Sequence, residues 1–104
     1  MTRHKALGAI IAGVMVAGAA ATAAFAYKGE KLAPQATISL AEAREIALKT
    51  NPGQVVDEEL EREKGGSGLR YSFDIKNGAV THEVGVDAKT GQVLENKVER
   101  GGHD

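Results

Sequence analysis

The sequence predicts an α+β domain in which one N-terminal helix packs on a four-stranded antiparallel β-meander. Three observations predict it. Apolar side chains recur at every second position through residues 71–86, on both sides of the Asn77-Gly78 pair. A Ser39-x-x-Glu42 capping box precedes one short amphipathic segment. Glycine-containing turns separate the remaining strand-like runs, and 104 residues leave room for one domain only.

Residues 1–26 are predicted to be a signal peptide. Residues 3–5 (Arg-His-Lys) are basic, residues 7–24 form an uncharged run, and Ala24-Phe25-Ala26 has the small-x-small form that signal peptidase accepts. We expect cleavage before Tyr27 and export to the periplasm or the extracellular space. The alternative is an uncleaved membrane anchor formed by residues 7–24, and only then is a membrane a partner.

Composition excludes several classes of protein and site. Cleavage would leave 11 basic and 14 acidic residues, a formal charge of −3, with no basic patch to neutralise phosphates. We therefore exclude nucleic acid as a partner. The chain has no cysteine, so it has neither disulfides nor a lipoprotein anchor. Its small core would gain stability from a partner or from an oligomeric state that the sequence leaves open.

The N-terminal part of the mature chain is predicted to be a linker followed by the helix. Residues 27–37 contain Gly29 and Pro34 and have no hydrophobic period. The capping box starts the helix at Leu40, and Asn51-Pro52-Gly53 ends it, because proline disfavours a helical residue before it. The apolar side of the helix consists of Leu40, Ala43, Ile46 and Ala47.

Residues 54–64 are predicted to form the first strand, joined to the second by the loop 65–68. Pairing Lys64 with Leu69 across that loop places Leu60 opposite Phe73 and Arg62 opposite Tyr71. In the second hairpin, a type I′ turn at Asn77-Gly78 pairs Lys76 with Ala79. The further pairs in that register are Ile75 with Val80, Phe73 with His82, Tyr71 with Val84 and Leu69 with Val86. Both registers bury the same face.

The last strand, residues 92–99, follows a turn that starts at Asp87 and has Gly91 in a left-handed conformation. A bulge after this turn would point Leu94 and Val98 inward, whereas without it Val93 would point inward. Residues 100–104 are predicted to be a flexible polar tail.

Five stretches of residues 38–99 resemble the PepSY domain family. They are Ile38–Ala43, Asn51-Pro52-Gly53, Leu60–Glu63, Tyr71–Ile75 and Val84–Val93, of which the last is the most specific. PepSY domains occur in the propeptides of thermolysin-like secreted metallopeptidases and as stand-alone exported proteins. The resemblance implies a non-enzymatic module that regulates or inhibits a peptidase. It carries over no catalytic residue. One departure is Glu58, because the family usually has an apolar residue there.

The acidic first strand suggests a second hypothesis, an envelope module that senses a small ligand or a metal ion. In the predicted register Asp57 lies beside Lys76 and Glu63 beside Arg70, which partly neutralises the strand. The residues left as candidate metal ligands are Glu59, Glu61, Asp74 and His82. A flat strand offers Ca²⁺ few oxygens, and no second histidine or cysteine stands at metal-ligand spacing near His82. We therefore favour a solvated charged face and predict no metal and no cofactor.

The function predicted from the sequence is protein binding without catalysis. No Ser/His/Asp order with a nucleophile turn, phosphate loop or cysteine nucleophile is present. We expect a protein partner, with a peptidase as the class that the family resemblance implies. The side chains in the middle of the sheet's exposed face are the candidate contacts: Ser72, Asp74, Thr81 and Glu83.

Overall fold

A computed structural model of the chain describes residues 26–99. They form a 3₁₀ helix (Glu30–Gln35), one α-helix, α1 (Leu40–Thr50), and the strands β1 (Gln54–Arg62), β2 (Leu69–Asn77), β3 (Val80–Asp87) and β4 (Val93–Val98). The strands form one antiparallel sheet in the order β1-β2-β3-β4. The predicted α+β architecture is confirmed. The predicted tail and all but the last residue of the predicted signal peptide lie outside the described residues. No helix within residues 26–99 is long and apolar enough to cross a membrane.

Helix α1 has the predicted boundaries. The Ser39 hydroxyl accepts a hydrogen bond from the Glu42 backbone N–H at 3.1 Å, and the Ser39 N–H donates to the Glu42 carboxylate at 2.8 Å. This capping box satisfies backbone donors that the first helical turn leaves free. At the other end, the Asn51 N–H donates to the Ala47 carbonyl, and the chain leaves the helix in an extended conformation.

The core lies between α1 and one face of the sheet. Tyr71 is buried there, and its hydroxyl donates to the Ile38 carbonyl at 2.9 Å, so the ring is packed without leaving its polar atom unpaired. Leu40 and Ile46 pack against this core from the helix. The buried apolar residues are Ala43, Ala47, Leu60, Leu69, Tyr71, Phe73, Ile75, Val84, Val86 and Ala88.

Residues 27–37 include a bridge at Lys28 and the 3₁₀ helix Glu30–Gln35, whereas the sequence predicts an irregular linker. The Leu60 N–H donates to the Lys28 carbonyl at 2.9 Å, and Lys28 forms a parallel bridge with Glu59. Gly29 adopts φ 86°, and a Cβ there would lie 1.8 Å from the Leu60 carbonyl oxygen. The segment therefore covers part of the β1 edge. Its packing depends on this close approach rather than on a hydrophobic period, so the sequence pattern does not show it.

The predicted register of β1 against β2 is wrong by two residues. Leu60 lies opposite Tyr71 and Arg62 opposite Leu69, so residues 63–68 form the connection. Arg62 therefore does not face Tyr71, and its guanidinium hydrogen-bonds to the side chain of Gln35. An irregularity between Val55 and Asp57 adds one residue to β1.

The predicted register of β2 against β3 is also wrong by two residues. Asn77 lies opposite Val80, which makes Gly78 and Ala79 the two turn residues. Gly78 has φ 67° and Ala79 has no positive φ, as in a type II′ turn rather than the predicted type I′ turn. Ile75 consequently pairs with His82. A shift of two residues returns each side chain to the same face, so the predicted buried face is unchanged.

Strand β4 contains the predicted bulge, with a different residue facing the core. Gly85 pairs with Glu95 and Val86 with Val93, which makes Leu94 the extra residue. Val93 therefore shares the face of Val86, whereas Leu94 lies against the loop glycine Gly66. The expectation that Leu94 points inward is wrong. Val98 lies opposite His82 on the core side but is 49% exposed, and the predicted left-handed Gly91 is confirmed at φ 83°.

Asp87 joins two loops at one end of the sheet. Its carboxylate is buried and accepts hydrogen bonds from the Ser67 N–H at 2.6 Å and the Ser67 hydroxyl at 2.8 Å. It also accepts from the N–H groups of Lys89 at 2.8 Å and Thr90 at 3.1 Å. Burial opposes ionisation, but these hydrogen bonds prevail and hold the pKa of Asp87 at about 2. Asp87, which lies in the family-like stretch Val84–Val93, therefore has a structural role: it holds the loop of Ser67 against the turn that contains Lys89 and Thr90.

Candidate functional site

The candidate site is the sheet face that points away from α1, which we call the outer face. In the described part of the chain, α1 packs on the opposite face and the 3₁₀ helix contacts β1, while the apolar residues of both pack towards the core. Besides the buried Asp87, the outer face carries seven carboxylates and three basic side chains. The carboxylates are Asp57, Glu59, Glu61, Asp74, Glu83, Glu95 and Glu99, and the basic side chains are Arg70, Lys76 and Lys97.

Arg70 organises the half of the outer face nearest Asp87. Its guanidinium pairs with Glu95 at 3.2 Å and donates to the Lys64 carbonyl at 3.0 Å, and only 10% of its side chain is exposed. The absence of a side chain at Gly85 makes this possible, because a Cβ there would lie 3.0 Å from Arg70 Cδ. Arg70 is therefore a packed structural cation, and little of its charge is presented to solvent.

The other half of the outer face contains three carboxylates that lie close together. Asp74, Glu83 and Glu99 each place an oxygen within 4.8 Å of the others, and we call them the carboxylate cluster. Asp57 lies directly opposite Asp74 on the neighbouring strand. Partial burial, together with the charges of Glu99, Glu83 and Asp57, raises the pKa of Asp74 to about 6. Burial and the nearby Glu95 likewise raise the pKa of Glu83.

Few basic side chains balance this charge. Glu95 pairs with Lys97 at 3.0 Å as well as with Arg70, and Lys28 reaches Glu59 at 3.9 Å from the segment beside β1. Among residues 26–99, no lysine or arginine lies within ion-pair distance of Asp57, Glu61 or the carboxylate cluster. The predicted pairs of Asp57 with Lys76 and of Glu63 with Arg70 are wrong, because Asp57 faces Asp74 and Arg70 faces Glu61. The outer face is therefore more strongly anionic than the sequence predicts.

The four candidate metal ligands do not form one group. Glu59, Glu61 and Asp74 are on the outer face, opposite Ser72, Arg70 and Asp57 respectively. His82 lies opposite Ile75 and Val98 on the face that packs against α1. The group that does come together contains Glu99, which the sequence analysis missed. The pairing of β4 with β3 would have identified Glu99, because its N–H donates a hydrogen bond to the Thr81 carbonyl at 2.7 Å.

The four candidate partner contacts are neighbours on β2 and β3. Asp74 pairs with Glu83, and the Ser72 hydroxyl donates to the Glu83 carboxylate at 3.4 Å. Thr81 lies opposite Lys76 at the hairpin end. Ser72 is only 7% exposed, because longer side chains surround it. Asp74, Thr81 and Glu83 are more accessible to a partner than Ser72, which orients Glu83.

Glu58 differs from the other acidic residues because it faces α1. It lies opposite Phe73, and its two carboxylate oxygens accept hydrogen bonds from Arg44, both at 3.0 Å. Such a two-bond pair between a guanidinium and a carboxylate satisfies both charges. The carboxylate that departs from the apolar pattern is thus accommodated by an arginine of the helix, which fixes α1 to β1.

The outer face has the chemistry of a surface that attracts positive charge. Asp57, Glu61 and the carboxylate cluster have no lysine or arginine within ion-pair distance in the described chain, and the one histidine within residues 26–99 is on the other face. A histidine on that side is not placed to act as a base for a hydroxyl of the outer face. The arrangement presents negative charge to a binding partner.

The chain matches a protein-family model. A family model described as peptidase propeptide and YPEB domain matches residues 37–97. The match covers α1 and all four strands apart from the last residue of β4. The searches of curated proteins and of solved structures found no match.

Proposed function

The chain belongs to the PepSY family, and we propose that it is an exported, non-enzymatic module that regulates or inhibits a secreted or envelope peptidase by direct contact. The family match supports a regulatory module of the peptidase-propeptide kind. The basic, apolar and small-x-small order of residues 1–26 supports export to the periplasm or the extracellular space. An anchor formed by residues 7–24 would hold the same module at the membrane.

The observation that carries this proposal is the polar outer face, which is uncovered within residues 26–99 except at the end where the connection 63–68 contacts Arg70 and Asp87. The fold uses one side of the sheet for its core, and Asp74, Thr81 and Glu83 form no salt bridge among residues 26–99; the side-chain hydrogen bond from Ser72 to Glu83 is long, at 3.4 Å. Charged residues that are not used for folding are available for recognition, where charge gives specificity and speed of association. Contact with the partner therefore involves these three residues.

Site-specific photo-crosslinking tests the proposal. A photoreactive amino acid replaces Thr81 on the outer face in one variant and Ala41, exposed on α1, in the control. We expect the Thr81 variant to crosslink to a peptidase in the native envelope and the Ala41 variant not to. The purified chain should then change the activity of that peptidase. The proposal fails if no peptidase is crosslinked, if both positions give the same products, or if the activity is unaffected.

Sensing of a metal ion or a small ligand is the second candidate function. The carboxylate cluster is the observation that favours it, because three oxygens lie within 4.8 Å of one another. Ca²⁺ requires six or more oxygens, so the cluster supplies only part of a coordination shell. Titration with Ca²⁺, Zn²⁺ and Cu²⁺, followed through amide chemical shifts, tests this function. Unchanged shifts at Glu59, Glu61, Asp74 and His82 would eliminate the site as first predicted, and unchanged shifts at Glu83 and Glu99 would eliminate the cluster.

A further inference from the structure

We propose that the outer face docks an extended segment of the partner that is rich in lysine and arginine. The inference rests on the proposed function and adds the chemistry of the partner. It is drawn from the part of the outer face that the connection 63–68 leaves uncovered, and the negative charge of that surface identifies the kind of partner segment.

The spacing of the carboxylates suits an extended chain. Asp57, Glu59 and Glu61 occupy alternate positions along β1 and point to the outer face. Alternate residues of a strand are about 6.6 Å apart, and alternate side chains of an extended partner have the same separation. Asp74 and Glu83 continue the charge across β2 and β3. A segment with a basic residue at every second position can therefore meet several carboxylates at once.

The carboxylate cluster supplies the strongest interaction with such a segment. Asp74 and Glu83 are partly buried among like charges and have no lysine or arginine within ion-pair distance in residues 26–99. Water screens partly buried charges less than fully exposed ones, so a cation placed here gains more than it would at an isolated surface carboxylate. A basic side chain would also relieve the repulsion among Asp74, Glu83 and Glu99.

Other occupants agree less well with the charges. The seven carboxylates outnumber the three basic side chains, of which Arg70 is packed under Glu95 and the Lys64 carbonyl and Lys97 pairs with Glu95, so the face repels acidic peptides and anionic lipids. A single divalent cation would engage the cluster but leave Glu61 of β1 without a counter-charge, and it would not account for the row of carboxylates along that strand. A basic polypeptide accounts for the whole face.

Binding of a labelled peptide to the full chain tests the inference. The probe is a fluorescent decapeptide in which lysine or arginine alternates with serine, and its acidic counterpart has glutamate at the same positions. We expect the basic peptide to bind with a Kd that rises with salt, and the acidic peptide not to bind. The double variant D74N/E83Q should bind the basic peptide about tenfold more weakly.

A matched variant separates the outer face from net charge. E30Q/E45Q removes two carboxylates from exposed positions of the 3₁₀ helix and α1, and we expect a change in Kd of less than about twofold. Circular dichroism checks that both variants fold. Equal weakening by the two variants, or no binding of the basic peptide, would overturn the inference. The inference would also be overturned if Ca²⁺ displaced the basic peptide equally well from E30Q/E45Q and from D74N/E83Q.

The two proposals fail separately. If a peptidase crosslinks at Thr81 but basic peptides do not bind, the proposed function stands and the inference of a basic partner segment fails. If basic peptides bind but no peptidase is crosslinked, the inference of a cation-binding face stands and the proposed peptidase partner is ruled out.

Discussion

Neutralising Asp74 should make the protein more stable at neutral pH. The pKa of Asp74 is raised to about 6 from an ordinary 3.8, so ionisation of this carboxyl opposes folding. At about 1.4 kcal/mol per pKa unit, this difference corresponds to about 3 kcal/mol. Solvent screening of a partly exposed group reduces the effect, and we expect D74N to raise the free energy of unfolding by ~1 kcal/mol at pH 8.

The sign of the pH dependence follows from linkage. Between pH 4 and 6 the native state binds more protons at Asp74 than the unfolded state, so the cost of ionisation is absent below about pH 4 and complete above about pH 6. Urea denaturation of the wild type, D74N and the exposed control E45Q at pH 4 and pH 8 measures it. The free energy of unfolding of D74N should exceed that of the wild type only at pH 8, and that of E45Q should match the wild type at both pH values. Destabilisation by D74N at pH 8, or an equal gain at both pH values, would refute the reasoning.

Three further experiments test the contacts that hold the fold. D87N should lower the free energy of unfolding, measured by urea denaturation, by about 2 kcal/mol at pH 7. The difference from the wild type should shrink as the pH falls below 4 towards the pKa of Asp87 at about 2. A loss of stability that does not depend on pH would contradict this. A double-mutant cycle with R44M and E58Q should give a coupling energy of about 1 kcal/mol, whereas additive losses would mean that the Arg44–Glu58 pair contributes nothing. G29A should cost about 2 kcal/mol and speed hydrogen exchange of the Leu60 amide, which donates to Lys28; unchanged exchange would show that the segment does not depend on Gly29.

The alternation of apolar residues determined the faces of the strands but not their registers. Moving β2 by two residues against β3 leaves Phe73 facing the core whether it pairs with His82 or with Val84. The turn decides between the two registers. Asn77-Gly78 suits a type I′ turn, but Gly78-Ala79 can form a type II′ turn with only one positive φ. Both turns agree with the local sequence, so packing of the whole sheet selects between them.

The carboxylate cluster depended on contacts that are distant in the sequence. Asp74 and Glu83 were predicted to be neighbours on the outer face, because both belong to the hairpin. Glu99 joins them only through the pairing of β4 with β3, in the register set by the bulge at Leu94. The Asp87 cap is similar, because its hydrogen bonds to Ser67 span 20 residues. Helix α1 was predicted more fully because its capping box is a local interaction.

The acidic residues of the domain differ in whether the fold compensates their negative charge, and this difference bears on function. Asp87 accepts four hydrogen bonds and Glu58 pairs with Arg44, so each ionised carboxylate is compensated inside the fold. Asp74 has no lysine or arginine within ion-pair distance among the described residues, and Lys97 and the Ser72 hydroxyl compensate Glu83 only in part, because the pKa values of both carboxyls remain raised. A domain with a small core retains this cost without any benefit to its own packing. If a basic partner supplies the missing charge, D74N must stabilise the free protein and weaken binding, and a structural role for Asp74 would not give these opposite signs.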